Sequence, residues 1–258
     1  LNRPTDLAFN PLRPNELWVT SQADNAIVVV FDPGAANQRH AKSNGAGSGH
    51  FLVRPSSLAF ADGGNFATVH DTDQITQPST PATFMGPTLW SSDPTIFDGG
   101  HGGHMDMLHN TPLGMGIAWE KENTFWVFDG YHSSITRYAF NEDHGPGGAD
   151  HSDGEVARYA EGEVARVEGV PSHLEFEHRT GKLWVVDTGN RRILTLDPKQ
   201  GKRGRALLPN YDGSQQYRMD GTSVDTVVPA SAGLNRPSGI ALRDDLVFVS
   251  DNATGRIW

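Results

Sequence analysis

The feature of this sequence that most constrains the fold is a repeated segment, in which a turn that usually contains proline leads into a short strand of alternating apolar residues. Five copies are visible: NRPTDLAF (2–9), VRPSSLAF (53–60), PLGMGIAW (112–119), VPSHLEF (170–176) and NRPSGIAL (235–242). Period-two alternation bounded by turn residues is typical of half-buried β-strands. The copies therefore predict five equivalent strands, near residues 5–9, 57–61, 115–119, 173–177 and 238–242.

A second strand follows each copy at a nearly constant distance. These second strands read ELWVTS, NFATVHD, TFWVFD, KLWVVD and LVFVSD, and four of the five end in aspartate. The shared apolar residue of the copies recurs at intervals of 51, 59, 57 and 66 residues, at Leu7, Leu58, Ile117, Leu174 and Ile240, so the insertions fall in the outer part of each unit. Radial repetition of small antiparallel sheets is typical of a β-propeller. We predict an all-β fold: a single β-propeller domain over residues 1–258 with five blades of the four-stranded type, or a six-bladed parent with a truncated end.

The turn after the second strand carries a further pattern. It reads DGYHSSI (129–135), DTGNRRI (187–193) and DNATGRI (251–257) in three of the copies. Together with the Pro-x-x-Leu/Ile segment and the Trp-Val second strand, this pattern resembles the NHL-repeat propellers. The resemblance covers most of the chain and implies the same fold.

Charge and composition limit the class of partner. The chain has 21 Lys and Arg against 31 Asp and Glu, a net charge of −10 with no basic run, which argues against nucleic acid. No stretch approaches the roughly 20 apolar residues of a membrane span, and no signal peptide is recognised at the start. We expect a monomer without a membrane span, processed or trimmed before Leu1. We expect it to lie outside the cytoplasm or to be secreted, and to act on a small-molecule or peptide substrate.

In a propeller, the loops that enter the inner strands and the turns between second and third strands lie on one face, around the mouth of the central channel. Ligands usually bind where such loops converge. The polar residues that the repeat places there are Arg54, Arg236, His70, Tyr131, His109 and His173. We predict that the arginines bind a carboxylate or stabilise an oxyanion. The alternative is a solvated rim, with Tyr131 as a turn aromatic that covers its blade.

The stretch HGGHMDMLH (101–109) holds three of the eleven histidines of the chain, with two methionines and an aspartate. Imidazole with carboxylate suits Zn²⁺, Fe²⁺ or Cu²⁺. We predict one transition metal, zinc first and iron or copper as alternatives, shared by His109 and His173, with His104 as third ligand and His70 as its competitor. The spacing of the three histidines matches no strict metal motif, so a solvated loop without metal is the alternative.

A second polar stretch, NEDHGPGGADHSDGE (141–155), has carboxylates and backbone oxygens of the kind that bind calcium. It lacks the ordered spacing of an EF-hand. We therefore expect a mobile insertion, because this composition buries no core, with a calcium site as the alternative.

A second resemblance concerns the chemistry. VFDGYHSSI (127–135), followed one blade later by VPSHLEF, resembles the peptidyl-α-hydroxyglycine α-amidating lyase domain, an NHL-type propeller. This resemblance implies zinc held in the channel by histidines, a catalytic tyrosine that is Tyr131 here, an arginine nearby and a structural calcium. The sequence departs from the family at Arg54, where the family has a ligand, and at Thr188, where it has an arginine. The third ligand of the family would lie beyond Trp258.

We therefore expect a metal-dependent enzyme, a lyase or a hydrolase, at the channel mouth. Tyr131 would move a proton, and Arg54 and Arg236 would act on the substrate. The alternative is a non-catalytic NHL-type scaffold that binds a peptide or a protein on the channel face.

Overall fold

The computed structural model describes residues 1–45, 51–73, 85–99 and 103–258. Its strands form five small, mainly antiparallel sheets, which are the blades of a β-propeller. The predicted all-β propeller fold is confirmed, and the blades number five in the described structure.

The first two blades have four strands each, joined in chain order. Blade 1 consists of β1 (Pro4–Asn10), β2 (Arg13–Ser21), β3 (Ala26–Phe31) and β4 (Arg39–Ser43). Blade 2 consists of β5 (Pro55–Phe60), β6 (Asn65–His70), β7 (Thr88–Ser91) and β8 (His104–Met107), with the short helix α1 (Pro94–Phe97) between its last two strands.

The remaining blades differ from one another in strand number. Blade 3 is built on β9 (Gly114–Lys121), β10 (Thr124–Asp129), β11 (Ser134–Ala139) and β12 (Glu155–Tyr159). The next part of the chain forms β13 (Leu174–Glu177), β14 (Lys182–Asp187), β15 (Arg192–Leu196), β16 (Lys202–Ala206), β17 (Gln215–Asp220) and β18 (Val224–Val228). Blade 5 has three strands, β19 (Pro237–Arg243), β20 (Leu246–Asp251) and β21 (Arg256–Ile257).

Blade 4 donates a hairpin to its neighbour. After β15 the chain leaves blade 4, and β16 and β17 extend the outer side of blade 3, where β17 pairs in parallel with β12. The chain then returns, and β18 completes blade 4 beside β15. This excursion accounts for the interval of 66 residues between the fourth and fifth repeat copies, the longest of the four.

The first strand of each blade lies at one end of its sheet, as the repeat predicts. Residues of all five first strands line a central cavity of about 590 Å³. The repeated segment therefore forms the wall of the channel, and the residues that enter it lie at the channel mouth.

Apolar side chains fill the junctions between successive blades. Four separate clusters of buried residues lie between blades 1 and 2, 2 and 3, 3 and 4, and 4 and 5. Trp18 in the first of these clusters and Trp126 in the third are fully buried. Large aromatic side chains in such positions contribute much of the energy that holds the blades together.

The junction between blade 5 and blade 1 differs from the other four. Ala8 packs toward blade 2, so the alternation of the strand places Leu7 and Phe9 on the opposite side, where they are 60% and 56% exposed. Val249 packs toward blade 4, and Phe248 is 41% exposed on the other side of its strand. Among the described residues, large apolar side chains are therefore exposed at this junction, whereas they are buried at the other four.

Gly116 of β9 marks a close approach to the loop that enters β13. A Cβ atom at this position would lie 2.8 Å from the carbonyl carbon of Ser172 and 2.9 Å from the Cα of His173. We expect Gly116→Ala to lower the free energy of unfolding by about 1–3 kcal/mol, because the inner strands would have to move apart. Urea denaturation followed by circular dichroism measures the effect. The control is Gly63→Ala, whose Cβ would meet no atom within 4 Å; an equal loss in both variants would contradict the close approach.

Among the described residues, no helix is long and apolar enough to cross a membrane.

Candidate functional site

The polar residue that ends each second strand anchors the channel mouth. The Asp187 carboxylate accepts hydrogen bonds from the backbone N–H of Ala165 at 2.8 Å and from the Arg192 guanidinium at 2.7 Å. In blade 1, where the copy ends in serine, the Ser21 hydroxyl accepts from the backbone N–H of Asn2 at 2.9 Å. These recurring residues tie the entering loops to the turns beside them, so their repetition in the sequence has a structural cause.

His173 lies in the central channel, where three blades meet. It directly precedes β13 in blade 4 and lines the cavity. Its Nε2 lies 3.1 Å from the carbonyl oxygen of Thr5 in blade 1, and its Nδ1 lies 3.3 Å from the hydroxyl oxygen of Ser57 in blade 2. The Asp6 carboxylate is 3.7 Å from the same Nδ1. The imidazole thus faces groups from two other blades.

Ser57 connects this imidazole to a carboxylate. Its hydroxyl donates to Oδ2 of Asp6 at 2.5 Å, and the backbone N–H of Leu58 donates to the same oxygen at 2.9 Å. Because the hydroxyl has one proton and gives it to Asp6, its oxygen is left to accept a proton carried by Nδ1 of His173. A line of hydrogen-bonding groups therefore runs from imidazole to hydroxyl to carboxylate.

Glu175 is a second carboxylic acid on the channel wall. It follows His173 by two residues, so both side chains lie on the same side of the chain. Glu175 is exposed to the open cavity, and the walls of the channel surround it. This enclosure raises the pKa of Glu175, the charge of Asp6 raises it further and His173 opposes both, while water in the open cavity limits the shift. Such a carboxyl holds its proton closer to neutral pH than an ordinary one.

Arginines gather at the channel mouth around Asp71, which follows β6. The buried carboxylate of Asp71 lies 3.3 Å from Nη2 of Arg54 and 3.7 Å from Nη1 of Arg166. Burial raises the pKa of Asp71, and the two arginines oppose this shift. Arg3 donates to the carbonyl oxygen of Gly169 at 3.1 Å and so links the loops that enter β1 and β13. Guanidinium groups in this position suit the binding of a carboxylate.

The other predicted catalytic residues are exposed. Tyr131 is 49% exposed, and its ring meets that of His132 edge-on at 4.9 Å between centroids. Arg236 is exposed and donates through its backbone N–H to Asp251 at 3.2 Å. The described residues that line the central cavity do not include Tyr131, Arg54 or Arg236. The catalytic roles of these three residues stay predictions.

His70 is buried, and both of its ring nitrogens have hydrogen-bond partners. Nδ1 lies 3.3 Å from the carbonyl oxygen of Gly86, and Nε2 lies 3.1 Å from the hydroxyl oxygen of Thr68. That hydroxyl accepts from Nε1 of Trp90 at 2.9 Å and is therefore free to donate to His70. Burial lowers the pKa of His70 to about 4. A metal ion would reach this imidazole only by breaking one of these contacts.

His109 and His104 have partners of their own. The Asp212 carboxylate accepts from the backbone N–H of His109 at 3.0 Å and from its ring Nδ1. Burial lowers the pKa of His109, although Asp212 opposes this shift. Nε2 of His104 lies 3.0 Å from the carbonyl oxygen of Gly148. The centroid of the His104 ring lies 4.6 Å from the centroid of the Phe51 ring.

The described structure does not gather the four predicted histidines around one point. His173 lines the central cavity and the other three do not, while His101 lies outside the described residues. We therefore assign no chemical step to a metal there, and metal binding by these four histidines stays a prediction. Within the described residues, three ligand atoms do come close together elsewhere, at Asp106, His144 and Asp153.

The sequence predicted His173 for this site but missed Asp6 and Glu175. The five copies, aligned on their shared apolar residue, carry the signal for Asp6. The residue before that apolar position is Asp6 in the first copy, Ser57 in the second and His173 in the fourth. Equivalent positions of a radial repeat meet at the channel, so this one position places all three side chains together. For Glu175 the signal is its distance of two residues from His173.

No protein-family model matches this chain, and no curated protein matches it in sequence. Solved structures match it over 98% of its length. A chain of the nidogen/laminin complex has a TM-score of 0.59 and 14% identity, with 74% of that chain covered. A catalytically inactive histidine-to-alanine variant of virginiamycin B lyase from Staphylococcus aureus, with quinupristin, has a TM-score of 0.52 and 14% identity, with 64% covered. An auxiliary nutrient binding protein from Bacteroides ovatus has a TM-score of 0.57 and 14% identity, with 53% covered.

At 14% identity these likenesses show the fold alone. The chain covers less than two thirds of the lyase and of the nutrient binding protein. The comparisons do not confirm the resemblances to NHL repeats and to the amidating lyase, which stay predictions. Taken with the five sheets of the structure, the comparisons identify the chain as a β-propeller.

Proposed function

We propose that the protein is an enzyme, a lyase or a hydrolase, whose active site lies in the central channel around His173. The observation that carries this proposal is the meeting of His173, Ser57 and Asp6, from three blades. His173 and Asp6 line a cavity of about 590 Å³, and Ser57 is buried beside them. A cavity of this size holds a small molecule or the end of a peptide.

The proposed chemistry is proton transfer between two positioned groups. Glu175, whose pKa is raised by enclosure, acts as the general acid. In its neutral form His173 donates from Nε2 to the Thr5 carbonyl oxygen, so it takes a proton from the substrate or from a water molecule on Nδ1. The protonated Nδ1 then donates to the Ser57 oxygen, and the Ser57–Asp6 pair stabilises the charged imidazole. An acid and a base can act side by side only if their surroundings favour different protonation states, and the surroundings of Glu175 and His173 differ in this way.

The rim supplies the means to bind a substrate. Arg54 and Arg166 share one buried carboxylate, Asp71, so their charge exceeds that of their partner. The surplus favours a substrate that carries a carboxylate, bound at the mouth with its reacting bond toward His173. Tyr131, exposed on the same face, is proposed to contact the part of the substrate that stays outside the channel.

The solved structures support two readings of this face. The propeller fold serves a lyase that is catalytically inactive when a histidine is replaced by alanine, which favours a catalytic histidine here. The nidogen/laminin complex and the nutrient binding protein favour the alternative, a non-catalytic scaffold that binds a peptide, a protein or a nutrient.

Turnover of a library of short peptides with free carboxyl termini, followed by mass spectrometry, tests the proposal. We expect the protein to consume members of the library, and His173→Ala and Glu175→Gln each to lower kcat by about 10²–10⁴-fold, because each removes one proton-transfer group. The matched control is His40→Ala, an exposed histidine on the outer strand of blade 1, which leaves kcat unchanged.

Two outcomes would contradict the catalytic proposal. Peptides that bind without being consumed, with affinity lost in His173→Ala, would establish the scaffold instead. Turnover that persists in both channel variants would place the chemistry elsewhere.

A further inference from the structure

Two polar stretches that are far apart in the sequence meet at the outer side of blades 2 and 3. Asp106 lies on β8, within the stretch 101–109, while His144 and Asp153 lie in the loop between β11 and β12. One ligand atom from each of these three residues lies within 4.8 Å of the other two. We infer that Asp106, His144 and Asp153 form a binding site for a divalent first-row metal ion, with zinc as the ion that fits best.

The carboxylate of Asp106 gives the independent reason to expect a ligand. Asp106 is fully buried. Its Oδ1 accepts from Nδ1 of His151 at 2.5 Å and from the backbone N–H of Met107 at 2.6 Å. Its Oδ2, equally buried, has no hydrogen-bond partner among the described residues. A buried carboxylate oxygen left without a partner is costly, and a bound cation removes that cost.

The donor set suits a borderline metal ion. Nε2 of His144 lies 3.0 Å from Oδ1 of Asp153, a separation close to that of two ligands on one ion. One imidazole and two carboxylates fit zinc better than calcium, which prefers oxygen ligands alone. His151 would act as the group that orients the Asp106 ligand, in the way that outer hydrogen bonds fix metal ligands.

Backbone contacts hold the loop against β8. The N–H of His144 donates to the carbonyl oxygen of Met105 at 3.2 Å, and the N–H of Gly147 donates to that of His104 at 2.8 Å. At the other end of the loop, the Asn141 side chain donates to the carbonyl oxygen of Asp153 at 2.6 Å. The three ligands are therefore positioned by ordered backbone, which lowers the cost of closing the site around an ion.

The inferred site is distinct from the channel and does not depend on the proposed enzymatic function. Asp106, His144 and Asp153 are absent from the described residues that line the central cavity. The side chains of His144 and Asp153 are 23% and 33% exposed, so an ion can enter from solvent while Asp106 lies behind them. The stretch 101–109 thus contributes a metal ligand through its aspartate.

Zinc titration of the full chain, stripped of metal with a chelator, tests the inference by calorimetry and by elemental analysis after dialysis. We expect one zinc per chain at this site. Asp106→Asn, His144→Ala and Asp153→Asn should each weaken it at least 100-fold, because each removes a ligand. His151→Ala should weaken it about 10–100-fold, as expected for an orienting group. The matched control is Asp150→Asn in the same loop, which leaves the affinity unchanged.

Zinc should also raise the melting temperature of the wild-type protein but not that of Asp106→Asn. Asp153→Asn keeps the test valid if the buried variant fails to fold, because Asp153 is partly exposed. The inference is overturned if the wild-type chain binds no zinc, or if folded Asp106→Asn or Asp153→Asn binds it as tightly as wild type. It is equally overturned if His109→Ala/His173→Ala loses the zinc while Asp106→Asn keeps it, since the ion would then belong to the predicted channel-mouth site.

Discussion

Replacing Asp212 by alanine is expected to lower the free energy of unfolding by about 3–5 kcal/mol. Its carboxylate accepts from the backbone N–H of His109 at 3.0 Å, from the His109 ring Nδ1 and from the Gln216 amide at 2.8 Å. Asp212→Ala would remove the acceptor of the backbone N–H and of the ring Nδ1 of His109, and would leave the Gln216 amide with the Ser214 hydroxyl alone. Each buried donor that loses its acceptor costs about 1–3 kcal/mol. Urea denaturation followed by circular dichroism measures the loss.

The same variant should loosen the hairpin that blade 4 donates to blade 3. Gln216 lies on β17, so the Asp212 network anchors the added strands to the end of blade 2. Hydrogen exchange should show lost protection in β17 before the inner strands are affected. Asp245→Ala, with a side chain 93% exposed, is the control and should change stability by less than about 0.5 kcal/mol. Equal stabilities of the two variants would show that the network contributes nothing.

The repeat was sufficient to predict the inner strands because their alternation and spacing are set by packing that every blade shares. The donated hairpin was missed for the same reason: β16 and β17 have no counterpart in the other copies. The pairing of β17 with β12 joins residues about 60 positions apart, such as Val156 and Gln216. Nothing local in the sequence specifies a parallel pairing of that kind.

In the histidine-rich stretch 101–109, residue type alone does not determine which side chains become partners. Its composition indicated a metal ligand, and the repeat placed its end at the channel mouth. The described part of this stretch includes β8, whose alternation directs successive side chains to opposite faces. Asp106 faces the loop of blade 3, where it accepts a hydrogen bond from His151, while the His109 ring donates to Asp212. The loops outside the repeat decide which of these polar groups pair with each other. The spacing of the repeat does not predict the path of those loops.

His173 was predictable because it stands inside the repeat. Its partners Asp6 and Ser57 occupy the same repeat position in other blades, so symmetry alone brings them together. The rotamers that turn Ser57 toward Asp6 and leave its oxygen facing His173 are not specified by the repeat.

Acidification should remove about 3 kcal/mol of stability through His70 alone. The folded state holds this imidazole neutral, with a pKa of about 4 against an ordinary value of 6.5, because a buried charge is poorly solvated. A lowered histidine pKa means that the unfolded chain binds the proton more tightly. The contribution of His70 is therefore complete above pH 6.5 and is lost as the pH falls from 6.5 to about 4, at about 1.4 kcal/mol per pH unit.

The comparison of wild type with His70→Gln isolates this effect. Raised pKa values at Asp71, Asp106 and Glu175 act in the opposite direction, since these carboxyls take up protons more readily in the folded state. They are present in both proteins, so they cancel in the difference. Free energies of unfolding measured by urea between pH 7.5 and 4 should converge as the pH falls, because only wild type carries the titrating imidazole. A constant difference across this range would mean that the pKa of His70 is the same in the folded and the unfolded chain, which would contradict the pKa shift expected from burial between Thr68 and Gly86.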